Sequence, residues 1–94
     1  MERDIKKAAK RILKEIPSSK FVPYNPYPYG EPGTPDQVGC IKGRMVLIEF
    51  KKSSGKLSPI QIIRHKQWIE AGAEVWVIRD IEDLKRHVLV YTTY

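Results

Sequence analysis

The sequence predicts an α/β domain in which helices flank a mixed sheet, in the order α-β-β-β-α-β. Three observations predict it. The N-terminal stretch MERDIKKAAKRILKEI carries its apolar side chains at helical spacing. Thr34 to Lys52, TPDQVGCIKGRMVLIEFKK, reads as two short apolar strands around Lys42-Gly43. A capped helix beginning near Ser58 leads into a further strand, EVWVI. Helices and strands interleaved in this way build a sheet covered by helices.

Each element has its own signal. Ile5, Ala9, Ile12 and Ile16 recur at steps of three and four, with Ala8 and Leu13 beside them and Lys6, Lys7, Lys10 and Lys14 off the stripe. That pattern predicts an amphipathic helix over 2–16, ended by Pro17. A short strand follows over 20–24. PYNPYPYGEPGTP has too many prolines and glycines for regular structure and reads as a loop carrying Tyr24, Tyr27 and Tyr29. The hairpin occupies 36–51. Ser58 is a good N-cap, Pro59 suits the first helical position and Gln61 falls where a capping box places its glutamine, so a second helix runs over 59–71 and closes at Gly72. Residues 74–78 form a strand. Residues 80–86 read as a short helical turn capped by Asp80, and 88–92 as a last strand.

Composition bounds the function. Ninety-four residues make one small domain, 1–94, with a single modest core. No apolar run approaches the roughly 18 residues of a membrane span, and the charged N-terminus is no signal peptide. The only cysteine, Cys40, has no internal partner, and its place in a strand predicts a buried, reduced thiol in an intracellular protein. A formal net charge of +6 favours a polyanionic partner, nucleic acid first. A basic protein with no such partner carries the same charge.

The hairpin holds the chemistry. If Lys42-Gly43 are its two loop residues, Ile41 pairs with Arg44 and Asp36 falls opposite Glu49, where Cβ atoms on one face stand roughly 5 Å apart. Lys51, two residues beyond Glu49, shares that face. Opposed carboxylates repel unless a cation lies between them, and Mg²⁺ suits one or two carboxylates completed by water and phosphate oxygens. Such an ion lowers the pKa of bound water, and Lys51 beside it could position the attacking water or stabilise phosphate charge, which is chemistry for hydrolysing a phosphodiester. Spacing alone equally allows a solvated Glu49–Lys51 ion pair with Asp36 as a turn residue after Pro35. No cysteine–histidine cluster argues for zinc.

Gly33-Thr34-Pro35-Asp36, then Glu49-Phe50-Lys51, then Leu57-Ser58-Pro59-Ile60-Gln61 resemble the PD-(D/E)XK nuclease superfamily, with its restriction-endonuclease-like core, and more closely its virus-type replication-repair nuclease (VRR-NUC) domains. The resemblance runs from Glu2 to about Glu82. Either short fragment alone occurs by chance, whereas the ordered set in its GxPD context is specific. The resemblance implies that Asp36, Glu49 and the Phe50 backbone carbonyl bind Mg²⁺, with Mn²⁺ able to substitute. It makes Lys51 the catalytic lysine and places Gln61 near the active site. It also implies an acid on the first helix. Glu2 continues the seam 2, 5, 9, 12, 16 and is chosen over Glu15, although an acid in a first helical turn is favoured by the helix dipole alone. Gln61 likewise completes a capping box without any catalysis.

Stand-alone, phage-type domains of this family are similar to small resolvases acting on branched DNA as homodimers. The resemblance therefore implies a Mg²⁺-dependent, structure-selective endonuclease in the cytoplasm of a bacterium or phage-infected host, resolving Holliday junctions as a homodimer. A flap or nicking nuclease, or a basic DNA-binding module without catalysis, stand as alternatives. Lys52, Lys56 and Arg64 are candidate phosphate contacts, and Tyr27 and Tyr29 could stack on exposed bases or simply pack the loop. His65 and His87 lack metal-ligand spacing and read as non-catalytic. Ile60, Ile62 and Ile63 span more than one face of a short helix, so the second helix, the 80s and the C-terminal segment with Tyr91 are candidates for the dimer surface.

Overall fold

A computed structural model describes residues 2–23, 32–52 and 54–92. The elements run α1 (Glu2–Lys14), β1 (Ser19–Pro23), β2 (Gln37–Ile41), β3 (Arg44–Phe50), α2 (Pro59–Glu70), β4 (Glu74–Ile78) and α3 (Ile81–Thr92). The strands form one mixed sheet in the order β1-β2-β3-β4. β1–β2 and β2–β3 are antiparallel and β3–β4 is parallel. A parallel pair needs a crossover connection, which α2 supplies.

Lys42 and Gly43 make the two-residue turn, with φ of 50° and 85°. Positive φ at both positions is the type I′ geometry, whose twist matches that of the flanking strands. The register follows: Ile41 pairs with Arg44 and Gln37 with Ile48. Alternation then sorts β3 onto two faces. Val46, Ile48 and Phe50 join Ala9 and Leu13 of α1, Ile16 just past it, Trp76 and Ile78 of β4 and Leu84 of α3 in one core. Leu47 and Glu49 take the opposite face, where α2 packs against β4.

Local signals explain the helix ends. α1 stops at Lys14, and Ser19 Oγ then donates to the Ile16 carbonyl at 2.7 Å. α2 has the full capping box, with Ser58 Oγ accepting from the Gln61 amide and the Gln61 side chain accepting from the Ser58 amide. Beyond its end Gly72 adopts φ 107°, which suits a residue without a Cβ.

Two expectations are corrected. The strand expected over 88–92 is the second half of α3. Asp80 caps that helix, accepting from the Asp83 amide at 2.8 Å, and no glycine or proline follows to stop it. Leu84 and Val88, one turn apart, pack on the core, and the His87 ring lies 5.0 Å from the Trp76 ring. This helical packing outweighs the strand preference of the Val-Leu-Val run. Cys40 is exposed, not buried. It pairs with Lys20 and Met45 on the face opposite the core, on strands away from β4 where α2 packs. No helix among the described residues is long and apolar enough to cross a membrane.

Gly39 faces the core side between β1 and β3, and any Cβ there would run into the Phe21 ring and the Lys20 carbonyl. Gly39→Val should therefore cost about 1–3 kcal/mol, the usual penalty of overpacking. Urea unfolding with an unchanged m-value checks this, and a neutral result would mean that Phe21 does not sit over Gly39.

Candidate active site

The site assembles at the C-terminal end of β3. Glu49, 3% exposed, points from the buried middle strand toward α2. Its Oε1 accepts from Gln61 Nε2 at 3.3 Å and stands 3.4 Å from His65 Nε2. A carboxylate only accepts, so the His65 tautomer that serves this contact carries its proton on Nε2. Gln61 and His65 are four apart on α2, hence on one helix face. Gln61 thus holds two posts at once: its carbonyl oxygen closes the capping box, and its amide nitrogen reaches Glu49.

Asp36 arrives differently from the expected ladder pair. Pairing stops at Gln37–Ile48, and Asp36 lies in a bend outside β2. Its Oδ2 instead accepts from the Phe50 amide at 2.9 Å. The residue before it is Pro35, which has no N–H to donate to β3, so the ladder ends there, and the Asp36 carboxylate serves as acceptor for the Phe50 amide. Asp36 is therefore tied to the peptide between Glu49 and Phe50 rather than standing opposite Glu49 in a ladder.

The loop before Asp36 is held on α2. Gly33 has φ 83°, and a Cβ there would come within 2.8 Å of the Ile60 carbonyl oxygen. Arg64 Nε donates to the Pro32 carbonyl at 3.2 Å, and its Nη1 to Gln67 Oε1 at 3.2 Å. Arg64, read from sequence as a phosphate contact, thus ties the Asp36 loop to α2. Arg79, just past β4, ties down the segment that follows β3. Its Nη1 donates to the carbonyls of Lys52, at 2.9 Å, and Gly55.

Lys51 extends the parallel pairing, its amide donating to the Ile78 carbonyl at 3.0 Å. Burial, and next the positive charge of Lys51, hold His65 below its ordinary pKa of 6.5, while Asp36 pulls the other way. His65 therefore senses both residues, and Asp36, Glu49, Lys51, Gln61 and His65 form one electrostatic neighbourhood. Lys6 of α1 adds a cation, its Nζ 3.8 Å from Asp36 Oδ1. Glu2 begins α1 one turn before Lys6, while Glu15 is exposed beyond the other end of the helix, roughly 20 Å along its axis. The Glu2 side chain, Tyr27 and Tyr29 lie outside the described residues. Lys52 and Lys56 are exposed.

The Asp36 and Glu49 carboxylates with the Phe50 backbone carbonyl would make a hard, all-oxygen donor set, which suits Mg²⁺ with water or phosphate completing its shell. Among the described residues no three His, Cys, Asp or Glu side chains group as a metal cage. Sequence reasoning passed over His65, Lys6 and Arg79. His65 was in reach, since it stands one turn from Gln61. Lys6 and Arg79 carry no sequence signal, because their partners are distant in the chain.

No family model and no curated protein matches the chain. Solved structures do. One described as a VRR_NUC domain superposes with a TM-score of 0.79 at 22% identity, covering 96% of each chain. Another, described as a VRR_NUC domain protein, gives 0.77 at 16% identity over 98% of this chain and 88% of its own.

Folded His65 resists a proton that the unfolded chain accepts. Its contribution to stability is thus complete above pH 6.5 and is lost as the pH falls below that toward the lowered folded value. His65→Leu should lower stability at neutral pH by about 1.5–3 kcal/mol, the worth of a hydrogen bond to a charged group. It should also flatten the decline below pH 6.5. Urea unfolding across pH in chelator tests both, and a variant with the wild-type pH slope would remove His65 from this role. From its strand order, helix placement and superposition, the chain has the fold of a VRR-NUC domain.

Proposed function

We propose that this protein is a metal-dependent endodeoxyribonuclease that hydrolyses phosphodiesters in branched DNA, and that it resolves Holliday junctions as a homodimer. The observation that carries the reading is the bond from the Phe50 amide to Asp36, which ties one acid to the peptide that follows the other, with Lys51 the next residue. Asp36, Glu49 and the Phe50 carbonyl would hold Mg²⁺, or Mn²⁺ in its place. When bound, that ion supplies charge for the phosphate and acidifies a water.

The chain's own groups do the rest. Gln61 and His65 hold the Glu49 carboxylate in one orientation. Lys51 orients the attacking water or meets charge developing on the phosphate. Glu2, one turn before Lys6 on α1, is the candidate helix acid. Lys52 and Lys56, exposed on the segment that follows β3, are candidates for the phosphates beside the scissile one.

A four-way junction needs paired cuts, and one 94-residue domain offers a single candidate site. Two-fold association would supply the second. Apolar surface suited to that association lies on α2, where Ile60, Ile62, Ile63 and Ile69 are exposed, and on α3, where Leu89 and Val90 are.

Labelled four-way, flap and linear DNA, each incubated with Mg²⁺ or EDTA, tests the reaction. Cleavage should need Mg²⁺ and favour the four-way substrate. Asp36→Asn and Glu49→Gln should each reduce it by roughly 100-fold or more, as loss of a group stabilising transition-state charge does, while DNA binding persists. Binding without cleavage under every metal condition would leave a non-catalytic module. Sedimentation at micromolar concentration should give a dimer, and a monomer making paired cuts would defeat the two-fold reading.

A further inference from the structure

A groove runs between α1 and β1, lined by Lys10, Leu13, Lys14, Phe21, Pro23 and Gln37 among others. Its floor is mostly apolar, and its helical rim is cationic. Lys6, Lys10 and Lys14 are spaced by four residues, which stacks them along one side of α1. The row begins at the candidate site, because Lys6 lies 3.8 Å from Asp36. The groove begins there too, since Gln37 follows Asp36 directly and pairs with Pro23. From that end it runs toward Ser19 and Lys20, where β1 starts. Lys10, Lys14 and Lys20 are exposed, so their ammonium groups remain hydrated and mobile.

We infer that this groove is a DNA-strand track: it takes the strand that leaves the candidate cleavage site, with successive phosphates along the lysine row and deoxyribose over Leu13, Phe21 and Pro23. The inference rests on the nuclease reading and extends it to a second surface, on α1 and β1 rather than on α2 and the segment after β3. The occupant follows from chemistry. An evenly spaced row of ammonium groups matches a polyanion with repeating charge, and lysine stems add apolar surface beneath those charges. The short apolar floor suits a sugar between two phosphates. Leu13, Phe21 and Pro23 offer a base no donors or acceptors, so the track contacts chiefly sugar and phosphate, which carry no sequence information. It would raise affinity and set the direction in which the strand crosses the site.

The test is DNA binding by the full chain in EDTA, read by fluorescence anisotropy with a labelled four-way junction across a salt series. Lys10→Glu/Lys14→Glu should weaken binding by about tenfold or more and lower the slope of log K against log salt by about two, one for each phosphate that is no longer neutralised. Lys10→Gln/Lys14→Gln should lower that slope equally with a smaller loss of affinity. Lys42→Glu/Arg44→Glu makes the same change in net charge at the hairpin turn, and should leave the slope unchanged. Thermal melts check that each variant folds. Equal losses from the groove and control pairs would reduce the effect to net charge and overturn the track. A wild-type protein that binds DNA while the groove pair matches it would overturn the track and leave the nuclease reading standing. A wild-type protein that binds no DNA would overturn both.

Discussion

A carboxylate buried as deeply as Glu49 has given up its water, and the protein must return equivalent donors or lose several kcal/mol. Much of the architecture answers that demand. α2 must lie on this face of the sheet, in this rotation, because Gln61 and His65 both have to reach Oε1. The rotation is set in turn by the N-terminal cap, since Ser58 and Gln61 close on each other before Gln61 turns toward β3. Once α2 is placed, Arg64 can hold the Pro32 carbonyl, and the loop bearing Asp36 is settled against the helix. One buried charge thus organises a helix, a loop and a second acid.

The opposite face has a simpler logic. Val46, Ile48, Phe50, Trp76 and Ile78 make a continuous apolar sheet surface, and α1, the turn after it and α3 cover it with Ala9, Leu13, Ile16 and Leu84. That face supplies the hydrophobic stability, and α1 also carries Lys6 to the edge where Asp36 lies. The candidate site and the hydrophobic core are divided between the two sides of β3, residue by alternate residue. A polar site in so small a domain is tolerable for this reason: the residues that weaken the core by being charged are not asked to form it.

Most of the fold was legible because its signals are local. The capping box at Ser58, the Lys42-Gly43 turn and the EVWVI strand each depend on neighbours in the chain, and each is where the sequence places it. The register from the turn is likewise as expected, from Ile41–Arg44 to Gln37–Ile48. What escaped depends on contacts made at a distance. Residues 88–92 have strand-like side chains, but Leu84 and Val88 must meet the core together, and only a helix turns them the same way. Cys40 alternates as a buried residue should, yet which strands α2 covers is not written in β2. In the site, Asp36, Glu49, Lys51 and Gln61 were named from spacing and resemblance. His65 was set aside because metal-ligand spacing was the criterion applied, whereas its contact is with another side chain.

The bond from the Phe50 amide to Asp36 gives the hairpin the character of a ruler. Its two marks are the acid before β2 and the amide at the end of β3, and the strand and turn residues between them set the distance. Side chains along that ruler can change with modest effect while its length cannot. One residue more or less in the turn would slide β2 along β3 by a half-step, carry Asp36 away from Phe50 and turn its neighbours to the wrong face. Lineages descended from this protein should therefore accumulate substitutions at Arg44 and Met45, keep Gly43 for its positive φ, and almost never gain insertions or deletions there. Length variation should collect in segments that do not lie between the two acids, so the spacing from Asp36 to Glu49 should outlast most of the residues that now fill it.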